Sequence, residues 1–147
     1  MRIARHTIWI DQPRDAVFGF FIDFSQASRW RQYVASMTPV DGRPLGVGSR
    51  LRVDMEVMGS RQAFDLEVLA FEPPSLWRHR TFESDFKGHV EYRFDTEGAG
   101  TRVTMTLVAR PKTLYGWLAL PIMAISRRKP YSAQLPQLKR VMEAREV

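Results

Sequence analysis

Between Thr38 and Ala109, apolar and polar side chains alternate along most of the chain, and short turn sequences interrupt the alternation. A period of two is typical of strands that bury one face and expose the other. The interrupting sequences are rich in glycine, proline, serine and aspartate, which favour turns over ladder positions. The pattern therefore predicts six consecutive strands in an antiparallel meander.

The segments on either side of this meander follow other patterns. Residues 3 to 11 alternate as one more strand, which ends near Pro13 because proline has no N–H for a ladder but suits the first turn of a helix. Two short helical patterns follow, RDAVFGFFIDF and SQASRWRQYV, and Ser25 is the candidate N-cap of the second. From Leu114 to Met142, apolar residues recur at every third or fourth position, which predicts a C-terminal helix.

This order of elements predicts a two-layer α+β domain, in which a curved antiparallel sheet is covered by an amphipathic C-terminal helix. The chain has 147 residues and no internal repeat or linker, so we expect one domain, residues 1–147. A domain of this size buries about 70% of the surface that its unfolded chain exposes. A sizeable core is therefore possible without disulfides or a structural metal.

The net charge of +6 is unevenly distributed. Residues 1–109 carry 14 basic and 14 acidic side chains, whereas residues 110–147 carry eight basic and two acidic ones. The aromatic residues follow the core periodicity instead of forming an exposed stacking platform, so we expect no nucleic-acid partner. With no cysteine and no signal-peptide pattern before Asp11, we expect a cytoplasmic protein.

The most apolar stretch is LYGWLALPIMAISRRKP, residues 114–130. Its twelve apolar residues would span about 18 Å as a helix, well short of the roughly 30 Å of a bilayer core. We therefore expect it to cover the protein's own sheet. The cations that end the stretch offer a weaker alternative, a transient contact with an anionic membrane surface. They are Arg127, Arg128 and Lys129.

Five segments carry a resemblance to a known family: IWIDQPRDAVFGFFIDFSQASRW (8–30), DGRPLGVGSRL (41–51), FDLEVLAFEPPSLWRHR (64–80), YRFDTEGAGTRVTMTL (92–107) and LPQLKRVMEA (135–144). In their order and spacing, the sequence resembles the START/birch-pollen-allergen superfamily, also called SRPBCC, and within it the polyketide cyclase/dehydrase-like group. The resemblance implies a helix-grip fold: a curved seven-stranded antiparallel sheet around a long C-terminal helix, with two short helices after strand one. It also implies a cavity for a lipid, sterol or polyketide-like molecule. The chain departs from the pattern by Pro130 and Pro136 within the expected helix.

The histidines carry the most specific candidate chemistry, although none has metal-ligand spacing, and we expect no metal. One hairpin register would make His79 and His89 cross-strand neighbours. A slip of one residue would pair His79 with Val90 and turn His89 to the opposite face. We favour the slip, because it places Trp77 and His79 on one face with Val90 and Tyr92.

Two interpretations of the inward-phased His79 remain open. The simpler one is a core histidine satisfied by one hydrogen bond. The functional alternative is that His79, together with Tyr92, orients a carbonyl or hydroxyl group of a ligand, since apolar pockets rely on a few convergent polar groups. The strand carboxylates fall on the solvent-facing side, and Asp23 fits a helix cap better than a base. The lack of an inward acid–base pair favours binding over catalysis.

We therefore predict that the protein binds a small hydrophobic molecule between the sheet and the C-terminal helix. The predicted lining residues are Trp30, Tyr33, Met55, Phe64, Trp77, His79, Tyr92, Trp117 and Arg128. Arg128 lies on the apolar stripe of the tail, where it either extends to solvent or meets an anionic head group. The alternative is a cyclase or dehydratase that uses His79 or Tyr92. We expect no cofactor for either function. The candidate nucleotide loop, Gly46-x-Gly48, lacks the third glycine of that motif.

Overall fold

The computed structural model describes residues 2–81, 86–111, 118 and 134–144. The strands are β1 (Arg2–Ile10), β2 (Val34–Pro39), β3 (Arg50–Val57), β4 (Ser60–Glu72), β5 (Leu76–Thr81), β6 (Phe86–Glu97) and β7 (Gly100–Pro111). Between β1 and β2 lie helix α1 (Arg14–Phe21), a 3₁₀ turn (Phe24–Gln26) and helix α2 (Ala27–Trp30). Residues 134–144 are helical and are called the C-terminal helix. This order confirms the predicted α+β class and helix-grip architecture.

The seven strands form one antiparallel sheet in the order β1-β7-β6-β5-β4-β3-β2. Strand β1 therefore pairs with β7, the last strand of the meander. In the hairpin between β5 and β6, His79 lies opposite Val90, which confirms the register favoured from the sequence. His89 consequently faces the outer side of the sheet, where Arg78 and Glu91 also lie.

The second helix is shorter than the sequence pattern predicts. SQASRWRQYV was expected to be helical, but α2 ends at Trp30, and β2 begins at Val34 instead of near Thr38. Val34 pairs with Met55, and the carbonyl oxygen of Tyr33 accepts a hydrogen bond of 2.9 Å from the backbone N–H of Glu56. These contacts with β3 replace the helical hydrogen bonds that the local pattern favoured.

The predicted cap of the second helix is also wrong, whereas the predicted role of Asp23 is confirmed. Asp23 caps the 3₁₀ turn and accepts hydrogen bonds from the backbone N–H of Ser25, at 3.3 Å, and from its hydroxyl, at 2.5 Å. Ser25 is thus a donor to this cap. The N-cap of α2 is Gln26, whose side chain makes no capping hydrogen bond.

The inner face of the sheet is built in rows of directly opposed residues. One row crosses four neighbouring strands through His6, Met105, Tyr92 and Trp77. Directly opposed residues of an antiparallel pair point to the same face, so the four side chains share the inner side. Helix α1 packs onto this row through Phe21, whose ring centroid lies 4.7 Å from that of Tyr92 and 5.6 Å from that of Trp77.

The outer face carries the charged side chains of the strands. Ion pairs join Arg52 to Asp65, Arg80 to Glu67, and Arg78 and Arg93 to Glu91. The predicted outward position of the strand carboxylates is therefore confirmed. Because these residues alternate with buried apolar ones, the ion pairs and the core lie on opposite sides of the same strands.

The C-terminal helix covers the inner face and is attached to the end of β1 by polar contacts. Leu135, Leu138 and Met142 are buried against the core, as the apolar stripe predicts. Lys139 donates a hydrogen bond of 2.7 Å from Nζ to the carbonyl oxygen of Trp9, and Glu143 accepts one of 2.9 Å from the backbone N–H of Asp11. Within the described segments, no helix is long and apolar enough to cross a membrane.

Candidate functional site

Trp77 and His79 form a fixed pair on the inner face of β5. The strand alternation places both side chains on one side, and Trp77 Nε1 donates a hydrogen bond of 2.7 Å to His79 Nδ1. A neutral imidazole carries a single N–H, so an accepting Nδ1 assigns the hydrogen to Nε2. Nε2 makes no hydrogen bond to any described residue, which leaves one donor for another partner.

The surroundings keep the imidazole of His79 neutral. Burial, followed by the nearby charges of Arg31 and His89, lowers the pKa of His79 from 6.5 to about 3. At neutral pH the ring is therefore a hydrogen-bond donor through Nε2 and carries no proton to give as an imidazolium acid. Its geometry suits the orientation of a ligand oxygen better than proton transfer.

Arg31 brings a buried positive charge to this cluster. It follows α2 directly in extended backbone conformation, and only 7% of the residue is exposed. The guanidinium carbon lies 4.3 Å from the ring of Trp30 and 4.8 Å from that of Phe21. Arg31 was not among the predicted site residues, because the sequence pattern placed it inside a helix over residues 25–34 and not at the end of α2. The one feature of the sequence that could have indicated its burial is the preceding tryptophan, because an arginine can stack on an indole ring.

Tyr92 links the sheet to the C-terminal helix. Its hydroxyl donates a hydrogen bond of 2.9 Å to Gln134 Oε1, and both residues are buried. Gln134 was not among the predicted site residues either, because it lies beside the apolar stripe of the tail and not on it. The pair places a polar bridge between the two layers close to Trp77, the cross-strand neighbour of Tyr92.

Two further ring nitrogens, one on α2 and one on β1, are buried without a hydrogen-bond partner in the described part of the chain. They are Trp30 Nε1 and His6 Nε2. A buried polar group without a partner costs about 1–3 kcal/mol, so such groups normally meet a ligand or an ordered water. The indole N–H of Trp30 is a pure donor and therefore requires an acceptor.

The remaining predicted lining residues are partly buried, exposed or outside the described residues. Met55 and Phe64 are partly buried and pack against the core. Tyr33 is 44% exposed and has a φ of 65°, a left-handed conformation that is uncommon for a bulky residue. Trp117 and Arg128 lie outside the described residues, as do Arg127 and Lys129. Among the described residues, no group of three His, Asp or Glu side chains could hold a metal ion.

A separate open groove of about 450 Å³ lies between α1 and the C-terminal helix. It is lined by Gln12, Asp15, Ala16, Gly19, Phe20, Asp23 and Met142. None of these residues belongs to the inner-face cluster of Trp77, His79 and Tyr92, and Asp23 is engaged in capping. We therefore place the candidate site on the inner face of the sheet, where the buried polar groups converge.

Solved structures with the same fold cover nearly the whole chain. The protein TTHA0849 from Thermus thermophilus is 22% identical, with a TM-score of 0.75 and coverage of 98% of this chain and 99% of that one. The ZhuI aromatase/cyclase from Streptomyces sp. R1128 is 17% identical, with a TM-score of 0.72 and coverage of 98% and 94%. Major latex-like protein 151 from Panax ginseng is 15% identical, with a TM-score of 0.61 and coverage of 88% and 95%. At these identities, the similarity establishes a shared fold.

The family assignment rests on a match over almost the full length. No curated protein matches the sequence. A family model described as polyketide cyclase/dehydrase and lipid transport matches residues 1–143. This match confirms the resemblance to the polyketide cyclase/dehydrase-like group of the SRPBCC superfamily. The chain therefore belongs to the polyketide cyclase/dehydrase and lipid transport family of the SRPBCC superfamily.

Proposed function

We propose that the protein binds a small, largely apolar molecule with at least one acceptor oxygen, held between the inner face of the sheet and the C-terminal helix. The observation that carries the proposal is a pair of donors, set among aromatic side chains, that make no hydrogen bond to any described residue. These donors are Trp30 Nε1–H, which is buried without a partner in the described residues, and His79 Nε2–H. Apolar binding sites typically combine such walls with a few fixed polar groups.

The aromatic side chains around these donors suit a flat or polycyclic apolar body. The ring of Phe21 lies within 5.6 Å of the rings of Trp77 and Tyr92. The hydrogen bond from Trp77 holds the imidazole of His79 in one orientation, so a ligand carbonyl would meet a preoriented donor. A lipid, sterol or polyketide-like molecule with a carbonyl or hydroxyl group has this combination of features.

Replacing Trp30 with phenylalanine tests the role of the indole N–H. The variant keeps an aromatic ring but loses the donor, so we expect about five- to tenfold weaker binding of a carbonyl-bearing ligand, equivalent to one hydrogen bond of about 1 kcal/mol. Mass spectrometry of the natively purified protein would first identify bound molecules, and tryptophan fluorescence would measure their affinity for both proteins.

Arg80→Gln is the matched control for this measurement, because it alters the outer face of the same sheet and should leave affinity unchanged. Equal affinities for the wild type and Trp30→Phe would remove the indole donor from the site. Failure to find or load any apolar molecule, across fatty acids, sterols and aromatic polyketides, would contradict the proposed function itself.

A second candidate function is a cyclase or dehydratase that holds a polyketide chain in a productive shape. His79 Nε2–H favours it, since a donor aimed at a ketone polarises the carbonyl without transferring a proton. We expect turnover of a poly-β-ketone substrate to fall at least about tenfold in His79→Ala or Tyr92→Phe, with both variants folded by circular dichroism. Unchanged turnover in both would exclude these two residues from catalysis.

Contact with an anionic membrane surface remains a weaker proposal, based only on the consecutive cations Arg127, Arg128 and Lys129. Binding to anionic vesicles that weakens with added salt would support it, because exposed charges are screened. A cytoplasmic location also remains a prediction from the sequence.

A further inference from the structure

We infer that the ligand is an elongated molecule with two oxygen groups far apart, one of which is a hydroxyl bound by His6 on β1 while the other is bound by His79 on β5. This inference rests on the proposed function. It adds a second polar contact to the site, at the opposite side of the inner face, and it restricts the ligand to apolar molecules that are polar at both ends.

His6 lies on the same face of the sheet as His79 but at a distance from it. Met105 on β7 lies opposite both His6 and Tyr92, so these three side chains point to the inner side. His79 belongs to the next inward row, which continues through Val90, Leu107 and Ala4. Three strand intervals separate β1 from β5, which is roughly 14 Å along the sheet at the usual strand spacing.

The imidazole of His6 has a buried nitrogen, Nε2, without a hydrogen-bond partner among the described residues. Its nearest neighbours on the inner face are the apolar side chains of Ala4, Ile8 and Met105. Without its ring hydrogen Nε2 is an acceptor, and with it Nε2 is a donor; either form loses free energy when it is buried unpaired. A ligand hydroxyl both donates and accepts, so it would satisfy Nε2 in either form.

The strand residues between the two histidines form an apolar strip. Met105, Leu107 and Val90 are buried there, and the hydroxyl of Tyr92 already donates to Gln134. The two imidazoles are therefore separate polar points at the ends of this strip, and a molecule with one polar group could bond to only one of them. A molecule with an apolar body and an oxygen at each end complements both.

A purely structural His6 makes a different prediction. A histidine that is satisfied by an ordered water would contribute to stability. It would not discriminate between two ligands that differ only in one terminal hydroxyl. Ligand selectivity therefore separates the two roles.

Two linear alcohols of equal length provide the test. 1,12-Dodecanediol and 1-dodecanol share the apolar body and differ by one terminal hydroxyl. We expect the wild type to bind the diol about five- to tenfold more tightly, equivalent to one added hydrogen bond. A second hydroxyl without a protein partner would instead weaken binding, because burial removes its hydrogen bonds to water. Displacement of the fluorescent probe N-phenyl-1-naphthylamine measures both affinities.

Substitutions at His6 should change this preference and leave the affinity for 1-dodecanol nearly constant. His6→Phe keeps an aromatic ring without nitrogen, so the preference for the diol should disappear. His6→Gln should retain part of it, because the amide offers a donor and an acceptor. His89→Phe is the matched control, since it makes the same change on the outer face of β6, and it should keep the preference of the wild type.

A second measurement needs no variant. The chain contains three histidines, so side-chain NMR of protein with isotope-labelled histidine can follow each ring. On addition of 1,12-dodecanediol, the Nε2 signals of His6 and His79 should both shift, whereas those of His89 should not. This result decides the question even if His6→Phe does not fold.

The outcomes distinguish the two levels of the proposal. If the protein binds neither the probe nor either alcohol, the proposed function is overturned. If 1-dodecanol binds as tightly as the diol or more tightly, the apolar site stands and the inference about His6 is overturned. A preference for the diol that survives in His6→Phe, or a His6 signal that the diol does not shift, also overturns the inference, because the second hydroxyl would then be bound elsewhere.

Discussion

Acidification should destabilise the protein through His79, by up to about 1.4 kcal/mol for each pH unit between pH 6.5 and pH 3. Burial lowers the pKa of His79 from 6.5 to about 3 in the folded state, whereas the unfolded chain titrates near 6.5. Within this window the unfolded state binds a proton that the native state excludes. The contribution is therefore fully present above pH 6.5 and is lost progressively as the pH falls towards 3.

Urea unfolding at several pH values between 7 and 4 measures this effect. We expect the free energy of unfolding to fall more steeply with acidification in the wild type than in His79→Gln, whose side chain does not titrate. Carboxylates such as Glu143, whose pKa is lowered mainly by the hydrogen bond from Lys139, contribute equally to both slopes. Met58→Ala is the control, because its side chain is 100% exposed and does not titrate. Parallel slopes for the wild type and His79→Gln would show that His79 protonates freely in the native state.

Phe21→Ala should lower the free energy of unfolding by about 3–5 kcal/mol, which is typical of a large aromatic side chain deleted from a well-packed core. Phe21 is 1% exposed and lies where α1 meets the sheet. Its ring centroid is within 5.6 Å of those of Trp30, Trp77, Tyr92 and Phe94. The surrounding rings belong to three elements, α2, β5 and β6, so they cannot all move inward to fill the space.

The loss would appear as a lower urea midpoint with an unchanged dependence on urea concentration. Met58→Ala provides the comparison, because Met58 is 100% exposed and its truncation should change stability by less than about 0.5 kcal/mol. A loss below about 1.5 kcal/mol in Phe21→Ala would mean that the aromatic cluster collapses around the missing ring. A decrease in the slope would instead point to a change in the unfolded or native ensemble.

Much of the sheet could be predicted because each strand exposes one face. Alternation is a local property, so it identified the strands without knowledge of their partners. The register of His79 opposite Val90 also followed from the sequence, since only that register keeps both on the apolar face. The end of α2 could not be predicted in this way. Residues 31–34 fit a helix locally, and the pairing of Val34 with Met55 that excludes the helix joins positions far apart in the chain.

The candidate site was predictable only where it follows the strand periodicity. The strand alternation predicted one shared face for Trp77, His79 and Tyr92. The structure brings these three side chains together. Arg31 and Gln134 are polar residues whose burial depends on neighbours from other elements. The hydrogen bond between Tyr92 and Gln134 spans 42 residues, and no local pattern indicates it. We predict that Trp77, His79 and Tyr92 line the ligand site.

The separation of the sheet into a charged outer face and an aromatic inner face has an evolutionary consequence. The outer ion pairs and the alternation maintain the strand register, while side chains in an inner row, such as the one through Met105 and Tyr92, can change one at a time. If the protein binds a ligand as proposed, selection on ligand shape would act on one side of a strand while selection on register would act on the other. Substitutions on the inner face would need compensating changes in the neighbouring rings, whereas the alternation and the backbone would be retained.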